Sequence, residues 1–342
     1  MKKILYFNFD VGSGIEYCGN VFKRWLYQAS GCEVFEYRNQ NQPSFIIDDI
    51  IKISPDMVIL NEVFDKSCIP TFYYKKFHPE TKIVMILHSW KSLFGDFTDE
   101  RFSVEERKQM YFNRDFFKLC DRVFVLNYHP DNVLMPENVI SVYFPVDSKE
   151  YHIRKKWKDR EKLFVYLGSI SPLKFSEDFL DYVSCTGISI DCYGYISDGF
   201  EDYKRKFNRC SNIVYKGTIK QENVPDILNE YKYYIMPHNG YEIFNLSLFQ
   251  SILCGTIPLI SNDRNTKQFD YSWIDWADGL YFGCNTSREL VDNIKILCKE
   301  MPDHSDISEK ISTELNNRYS FDNLRNIFIN SINELLGGSK DG

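Results

Sequence analysis

Short apolar runs recur along the chain. Between them lie segments whose apolar residues repeat every three to four positions. The runs read as buried strands and the periodic segments as amphipathic helices. In the first half, strands are expected at 3–9, 32–37, 57–60, 82–87, 122–126 and 138–143, with helices at 17–29, 43–53, 70–77 and 104–119. The alternation restarts after a polar, basic stretch at 147–161. Strands follow at 162–167, 188–193, 212–215, 232–236, 257–260 and 279–282. Helices are expected after Lys174 to about Cys185, near 200–208, at 222–230, from about Asn245 to Cys254, near 264–270 and at 287–300. Helices 306–317 and 320–336 close the chain.

Repeated strand–helix alternation with short connections predicts parallel sheets flanked by helices. The expected fold class is α/β, with two doubly wound, Rossmann-like domains facing across a cleft. The domains expected are 1–150, a linker at 151–161, and 162–318. Helix 319–336 is expected to return to the first domain, and 337–342 to form a frayed tail. A length of 342 residues fits two cores better than one.

Composition changes this picture little. Hydrophobic residues make up 44% and charged residues 26%, as in an ordinary soluble domain. The 27 Phe and 23 Tyr read mainly as core. A net charge of −7 weighs against a dedicated nucleic-acid binder. The basic centre of 147–161, Arg154-Lys-Lys156, reads as a solvated linker face before an acceptor patch. The 10 cysteines show no C-x-x-C spacing and read as free thiols of a reducing compartment. No Cys/His metal cluster, Asp-x-Asp motif, signal peptide or membrane-spanning run occurs, so a cytoplasmic location is the default.

Ligands of such sheets bind at the carboxyl ends of strands, which selects the loops at 10–16, 61–68 and 88–98. Gly12-Ser-Gly14 is either a tight turn or a ligand loop. His88 follows Ile83-Val-Met-Ile-Leu87 directly. There it is a hydrogen-bonding group for a sugar hydroxyl, a base, or a structural histidine. Asp96, Asp99 and Glu100 in the next loop are further base candidates. In the second half, the stretch 237–258 combines a strand, a loop containing Gly240 and a helix N-terminus, an arrangement that favours an anion. Glu242 at its mouth fits a neutral, hydroxyl-rich group such as a sugar. Lys174, just beyond a strand, is placed to neutralise a phosphate.

Glu242, seven intervening residues, Gln250 and then Cys254-Gly-Thr-Ile-Pro258 resemble the signature of GT-B glycosyltransferases of the family 4 type. In that family a second acid stands where this chain has Gln250. The resemblance implies a sugar transfer from a nucleotide sugar, most simply a UDP-sugar, to an acceptor hydroxyl, without a metal or a permanent cofactor. It assigns Glu242 and His88 to the donor sugar, and Gly14, Ser169, Lys174, Ile243, Phe244 and Asn245 to the diphosphate and sugar. Ser169 replaces the family's arginine. Gln250 would hold the ribose and Ile219, in Gly217-Thr-Ile219, the base. A glycan or other cell-envelope acceptor is implied, with peripheral membrane contact.

Tyr166-Leu-Gly-Ser169, Thr186 to Gly194 and Tyr143-Phe-Pro-Val-Asp147 are also similar to bacteriophage DNA glucosyltransferases, which modify hydroxymethylated bases. That resemblance implies a DNA acceptor. A module that binds a nucleotide sugar without transferring it is the third alternative, permitted by Ser169 and Gln250.

Overall fold

In a computed structural model, residues 1–8, 14–28, 31–37, 43–62, 65–88, 117–126, 137–172, 174–237, 245–261, 277 and 279–337 are described. The chain divides into two compact units, Met1–Pro145 with Ser320–Gly342, and Val146–Tyr319.

The first unit runs β1 (Lys2–Phe7), α1 (Gly14–Gln28), β2 (Cys32–Tyr37), α2 (Pro43–Ile53), β3 (Met57–Asn61), α3 (Asp65–Phe77), β4 (Lys82–Leu87), β5 (Arg122–Leu126) and β6 (Val139–Val142). Its sheet has the order β2-β1-β3-β4-β5-β6, with every pairing parallel. The central β3 is buried at all five positions, whereas the edge strand β2 is largely half-buried. That contrast follows from cover on both faces of a parallel sheet. Helix α3 begins at Asp65, ahead of the expected start at 70. Pro70 lies inside it, and Thr71 Oγ1 donates to Ser67 O at 2.8 Å. A proline in an early turn removes one backbone donor without ending the helix. The expected helix 104–119 falls largely outside the described residues.

The second unit runs β7 (Lys162–Leu167), α4 (Glu177–Ser184), β8 (Ile190–Tyr193), α5 (Glu201–Arg209), β9 (Ile213–Gly217), α6 (Val224–Glu230), β10 (Tyr231–Pro237), α7 (Leu246–Leu253), β11 (Ile257–Ser261), β12 (Phe282–Cys284), α8 (Ser287–Glu300) and α9 (Ser305–Arg318). Its strand order is β12-β11-β10-β7-β8-β9, again all parallel. The last strand starts later than the expected 279–282. Gly279 has φ +77°, and Leu280 N bonds Ala277 O at 2.7 Å, so these residues turn before they extend. The expected helix 264–270 lies outside the described residues.

The stretch 151–161, expected as a linker, belongs to this second unit. Tyr151, Trp157 and Arg160 are buried. The Arg160 guanidinium donates to Lys155 O at 3.1 Å, Tyr231 O at 2.8 Å, Thr256 Oγ1 at 3.3 Å and Cys254 O at 2.5 Å. Burial lowers its pKa to about 10, so it remains charged near neutrality. The charge sits on the carbonyl end of α7, where the helix dipole favours a cation. Arg154 pairs with Asp226, and Lys155 Nζ with Glu230 at 2.9 Å. Arg154 and Lys155 are thus docked on α6.

Helix α10 (Phe321–Leu335) belongs to the first unit. Leu324, Phe328 and Ile332 share one face at helical spacing and are buried. Phe328 meets Phe22 and Phe124 at 4.8 and 5.1 Å, and Phe321 meets Trp25 at 5.1 Å. Ser320 caps the helix, and its carbonyl accepts from Tyr143 OH at 2.6 Å.

Candidate functional site

Each sheet has one point where strand order reverses, and open α/β sheets bind ligands outside the carboxyl ends there. In the first unit this point lies between β1 and β3. Asn8 follows β1, Asn61 ends β3 and His88 follows β4. Asn8 and Asn61 are buried and His88 half-buried. His88 Nε2 bonds Asn61 Oδ1 at 2.8 Å. Asn61 Nδ2 donates to Asn8 Oδ1 and to Ile15 O, each at 3.2 Å. Asn8 Nδ2 donates to Asn20 Oδ1 at 2.9 Å and Glu36 Oε1 at 3.3 Å, and Lys23 pairs with Glu36 at 2.9 Å.

Two backbone features make room for this network. A Cβ on Gly19 of α1 would lie 2.2 Å from Asn61 Nδ2 and 2.4 Å from Asn8 Oδ1, so only glycine lets the helix approach the amides. Glu62 adopts φ +75°, a left-handed conformation that costs a side-chain-bearing residue on the order of 1 kcal/mol. Its carboxylate accepts from His88 N at 2.8 Å and its own N–H bonds Ile86 O at 2.8 Å. Burial holds the His88 imidazole neutral and depresses its pKa to about 3.

In the second unit the order reverses between β7 and β10. Here the edge is built from backbone. Gly168 N bonds Tyr193 O at 3.0 Å and Gly194 N bonds Gly217 O at 2.9 Å, so the ends of β7, β8 and β9 are stitched together. Gly194 has φ +142°, and a Cβ there would sit 1.7 Å from Gly168 O. Tyr166 OH donates to Ser169 O at 2.7 Å, and Ser176 N bonds Pro237 O at 2.9 Å, which ties the loop after β7 to the end of β10. Ser169 and Lys174 lie half-buried in that loop. Lys174 N bonds Ser171 O at 3.1 Å.

Asn245 is buried and caps α7, its Oδ1 accepting from Ser247 N at 2.8 Å and Leu248 N at 3.3 Å. Two first-turn amides of the expected anion site are therefore already occupied by the chain itself. Gln250 is buried, and its Nε2 has no hydrogen-bond partner among the described residues. It neighbours the buried Tyr151 hydroxyl, which accepts from Gln221 Nε2 at 2.5 Å. Ile219 lies just before Gln221, half-buried. A buried amide beside this hydroxyl can take part in hydroxyl recognition.

Among the sequence-expected residues, Ser169 and Lys174 thus share the loop after β7, and Asn245 and Gln250 share α7. Gly14 opens α1, and His88 ends β4. Glu242, Ile243 and Phe244 lie outside the described residues, as do Asp96, Asp99 and Glu100. Sequence reasoning did not single out Asn8, Asn61, Glu36, Gly194 or Tyr151. Asn8, Asn61 and Gly194 carried a usable signal, since each stands at the carboxyl end of an apolar run. Glu36 and Tyr151 carried none. Among the described residues there is no cluster of three or more His, Cys, Asp or Glu suited to a metal, and no helix is long and apolar enough to cross a membrane.

No family model and no curated protein matches the chain. Solved structures do. An Anabaena HepE structure in complex with UDP-glucose is similar at TM-score 0.71 and 15% identity, over 98% of this chain and 100% of that one. Sucrose-phosphate synthase from Thermosynechococcus elongatus is similar at TM-score 0.72 and 10% identity, over 99% and 100%. A glycosyltransferase from Rickettsia africae is similar at TM-score 0.67 and 12% identity, over 99% of each chain. The chain has the fold these structures share, two Rossmann-like units of the GT-B type.

Proposed function

We propose that this chain is a glycosyltransferase that moves a sugar from a uridine-linked nucleotide sugar to the hydroxyl of a glycan or other cell-envelope acceptor. The observation that carries the reading is the carboxyl edge of the second sheet at its switch point. There a glycine-ended backbone shelf, Lys174, the cap of α7 and the buried Gln250 amide stand around β7 and β10. The fold likeness to a HepE structure that holds UDP-glucose supports the same donor class.

In the reaction, the bond between the anomeric carbon and the diphosphate oxygen breaks, and the acceptor oxygen bonds to that carbon. The acceptor proton passes to solvent, and UDP leaves with the bonding electron pair. Negative charge grows on the leaving diphosphate. The Lys174 ammonium, with Ser169, Gly14 and the amides of Ile243 and Phe244, would offset it where it develops. Asn245 would act by holding the first turn of α7. Gln250 would take the ribose, and the backbone at Ile219 the base. Glu242 and His88 would orient the donor sugar. The clamp consists of protein groups, so the reading includes no metal and no resident cofactor, and it places the reaction in the cytoplasm, with peripheral membrane contact at most. Of the three docking charges expected for a DNA acceptor, Arg154 and Lys155 are paired with Asp226 and Glu230, while Lys156 is exposed.

A panel of nucleotide sugars, read by thermal shift and by nucleotide release, tests the proposal. A UDP-sugar at a hundred times its Kd should stabilise the folded chain by about 2.7 kcal/mol. Glu242→Ala should fold as the parent does and release no UDP. Absence of binding by every nucleotide sugar would end the reading. Binding without release or transfer would leave a donor-binding module.

A further inference from the structure

The hydrogen-bonded line Lys23, Glu36, Asn8, Asn61, His88 has a direction that can be read from its ends. Lys23 Nζ donates to Glu36 Oε1 at 2.9 Å, and a carboxylate of that kind only accepts. The Asn8 group that faces the same oxygen at 3.3 Å is therefore its amide nitrogen. Asn8 must then turn its Oδ1 toward Asn61, which answers with Nδ2 at 3.2 Å. A second acceptor fixes Asn61 independently, because the same Nδ2 reaches the backbone carbonyl of Ile15 at 3.2 Å. Asn61 Oδ1 is left facing His88 Nε2 at 2.8 Å. An amide oxygen cannot donate, so Nε2 carries the proton and Nδ1 is bare.

We propose that Asn61, oriented by Asn8 and Glu36, is a positioning residue that locks His88 as its Nε2–H tautomer and so presents Nδ1 as a pure acceptor for a hydroxyl of the donor sugar. The sugar contact rests on the glycosyltransferase reading; the tautomer does not. No described side chain engages Nδ1. The Glu62 carboxylate holds the His88 backbone from the left-handed turn after β3, which limits how far the ring can move. A half-buried imidazole with a lowered proton affinity is a weak general base, so orienting a hydroxyl suits it better than deprotonating an acceptor.

Nitrogen NMR of the full chain, labelled at its 6 histidines and with His88→Gln assigning the signal, measures the tautomer directly. The expected result in the free protein at neutral pH is the Nε2–H pattern for His88. An Nδ1–H pattern or an even mixture would overturn the lock. Asn61→Leu keeps the branched shape of the side chain and removes the acceptor. It should give a tautomer mixture and lower kcat/KM for transfer about tenfold. Asn61→Asp still accepts from Nε2 and should keep the Nε2–H pattern while raising the pH at which the ring protonates. If Asn61→Leu leaves the tautomer unchanged, Asn61 has no such role. If the variants do not fold, the parent spectrum alone decides the lock. Adding UDP-glucose should shift the Nδ1 resonance and UDP alone should not. No shift with UDP-glucose, beside an intact Nε2–H pattern, would refute the sugar contact and leave the lock standing.

Discussion

The two sheets of this chain solve the same problem at their carboxyl edges with different materials. The first edge is made of side chains. Asn8, Asn61 and His88 are joined by hydrogen bonds and anchored on Glu36 and Lys23. The second is made of backbone, with Gly168, Gly194 and Gly217 stitched by main-chain bonds and Asn245 closing the start of α7. Both edges use a glycine to let parts approach. Gly19 makes room for amide side chains, whereas Gly194 makes room for a carbonyl of the main chain. A side-chain edge offers oriented donors and acceptors and suits neutral hydroxyls. A backbone edge offers close approach beside the start of a helix and suits a charged, compact group such as a phosphate. The contrast matches the division of labour proposed for sugar and nucleotide.

The sharpest way to break the comparison is Gly194→Ala. The new Cβ meets a carbonyl that cannot move without unstitching the edge. We expect a loss of about 4 kcal/mol and a fall of roughly 10 °C in the melting transition of the second unit, read by calorimetry, with the first unit's transition unchanged. Arg160→Met comes next. It leaves the carbonyls of Lys155, Tyr231 and Cys254 without their donor, and urea denaturation should show a loss of about 3 kcal/mol, again confined to the second unit. Gly19→Ala tests the first edge. Its clash is with side-chain amides that can swing aside, so the expected loss is smaller, about 2 kcal/mol, and His88 should lose its single tautomer in the NMR spectrum.

At neutral pH the smallest effect belongs to His88, whose contribution shows only as a slope below pH 6.5. Unfolded His88 protonates near its ordinary pKa of 6.5, while the folded form resists until about 3. Between those values the unfolded chain binds the extra proton. Stability from this group is therefore full above 6.5 and declines, by about 1.4 kcal/mol per pH unit, as pH falls toward 3. His88→Gln should flatten that part of the stability–pH curve in urea titrations. An unchanged slope would mean that the ring is solvated and the first edge less buried than its geometry implies.

Much of the fold was legible along the chain. The strands at 82–87, 122–126 and 162–167 and the helices at 43–53 and 287–300 coincide with β4, β5, β7, α2 and α8. These are long periodic or uniformly apolar segments, where local pattern and tertiary burial agree. Errors fell where a local signal was overridden. The apolar spacing predicts a helix only from about 70, yet α3 buries Ser67 and Cys68 ahead of it. The basic stretch 151–161 was read as a solvated linker. Its residues Tyr151, Trp157 and Arg160 instead turn inward, onto carbonyls and aromatics far away in sequence.

For the site, the sequence marked His88, Ser169, Lys174 and Gln250 through their position after strands or within the Glu242–Pro258 motif. It left undecided whether His88 was a base, a hydrogen-bonding group or a structural residue. Nothing in Asn8, Glu36 or Asn61 read singly tells of the others, because they stand on β1, β2 and β3 and meet only when the sheet forms.

By itself, then, the sequence determined the elements, the parallel α/β class and the division into two units, since these follow from short-range periodicity and chain length. Tertiary structure alone decided the strand orders, the close approach of Gly194 to Gly168, the docking of Arg160 and the direction of the hydrogen-bond line that ends at His88. Those depend on pairings between residues tens of positions apart. There a few tenths of an ångström, or the choice between an amide oxygen and an amide nitrogen, changes the chemistry without changing the pattern of apolar and polar residues.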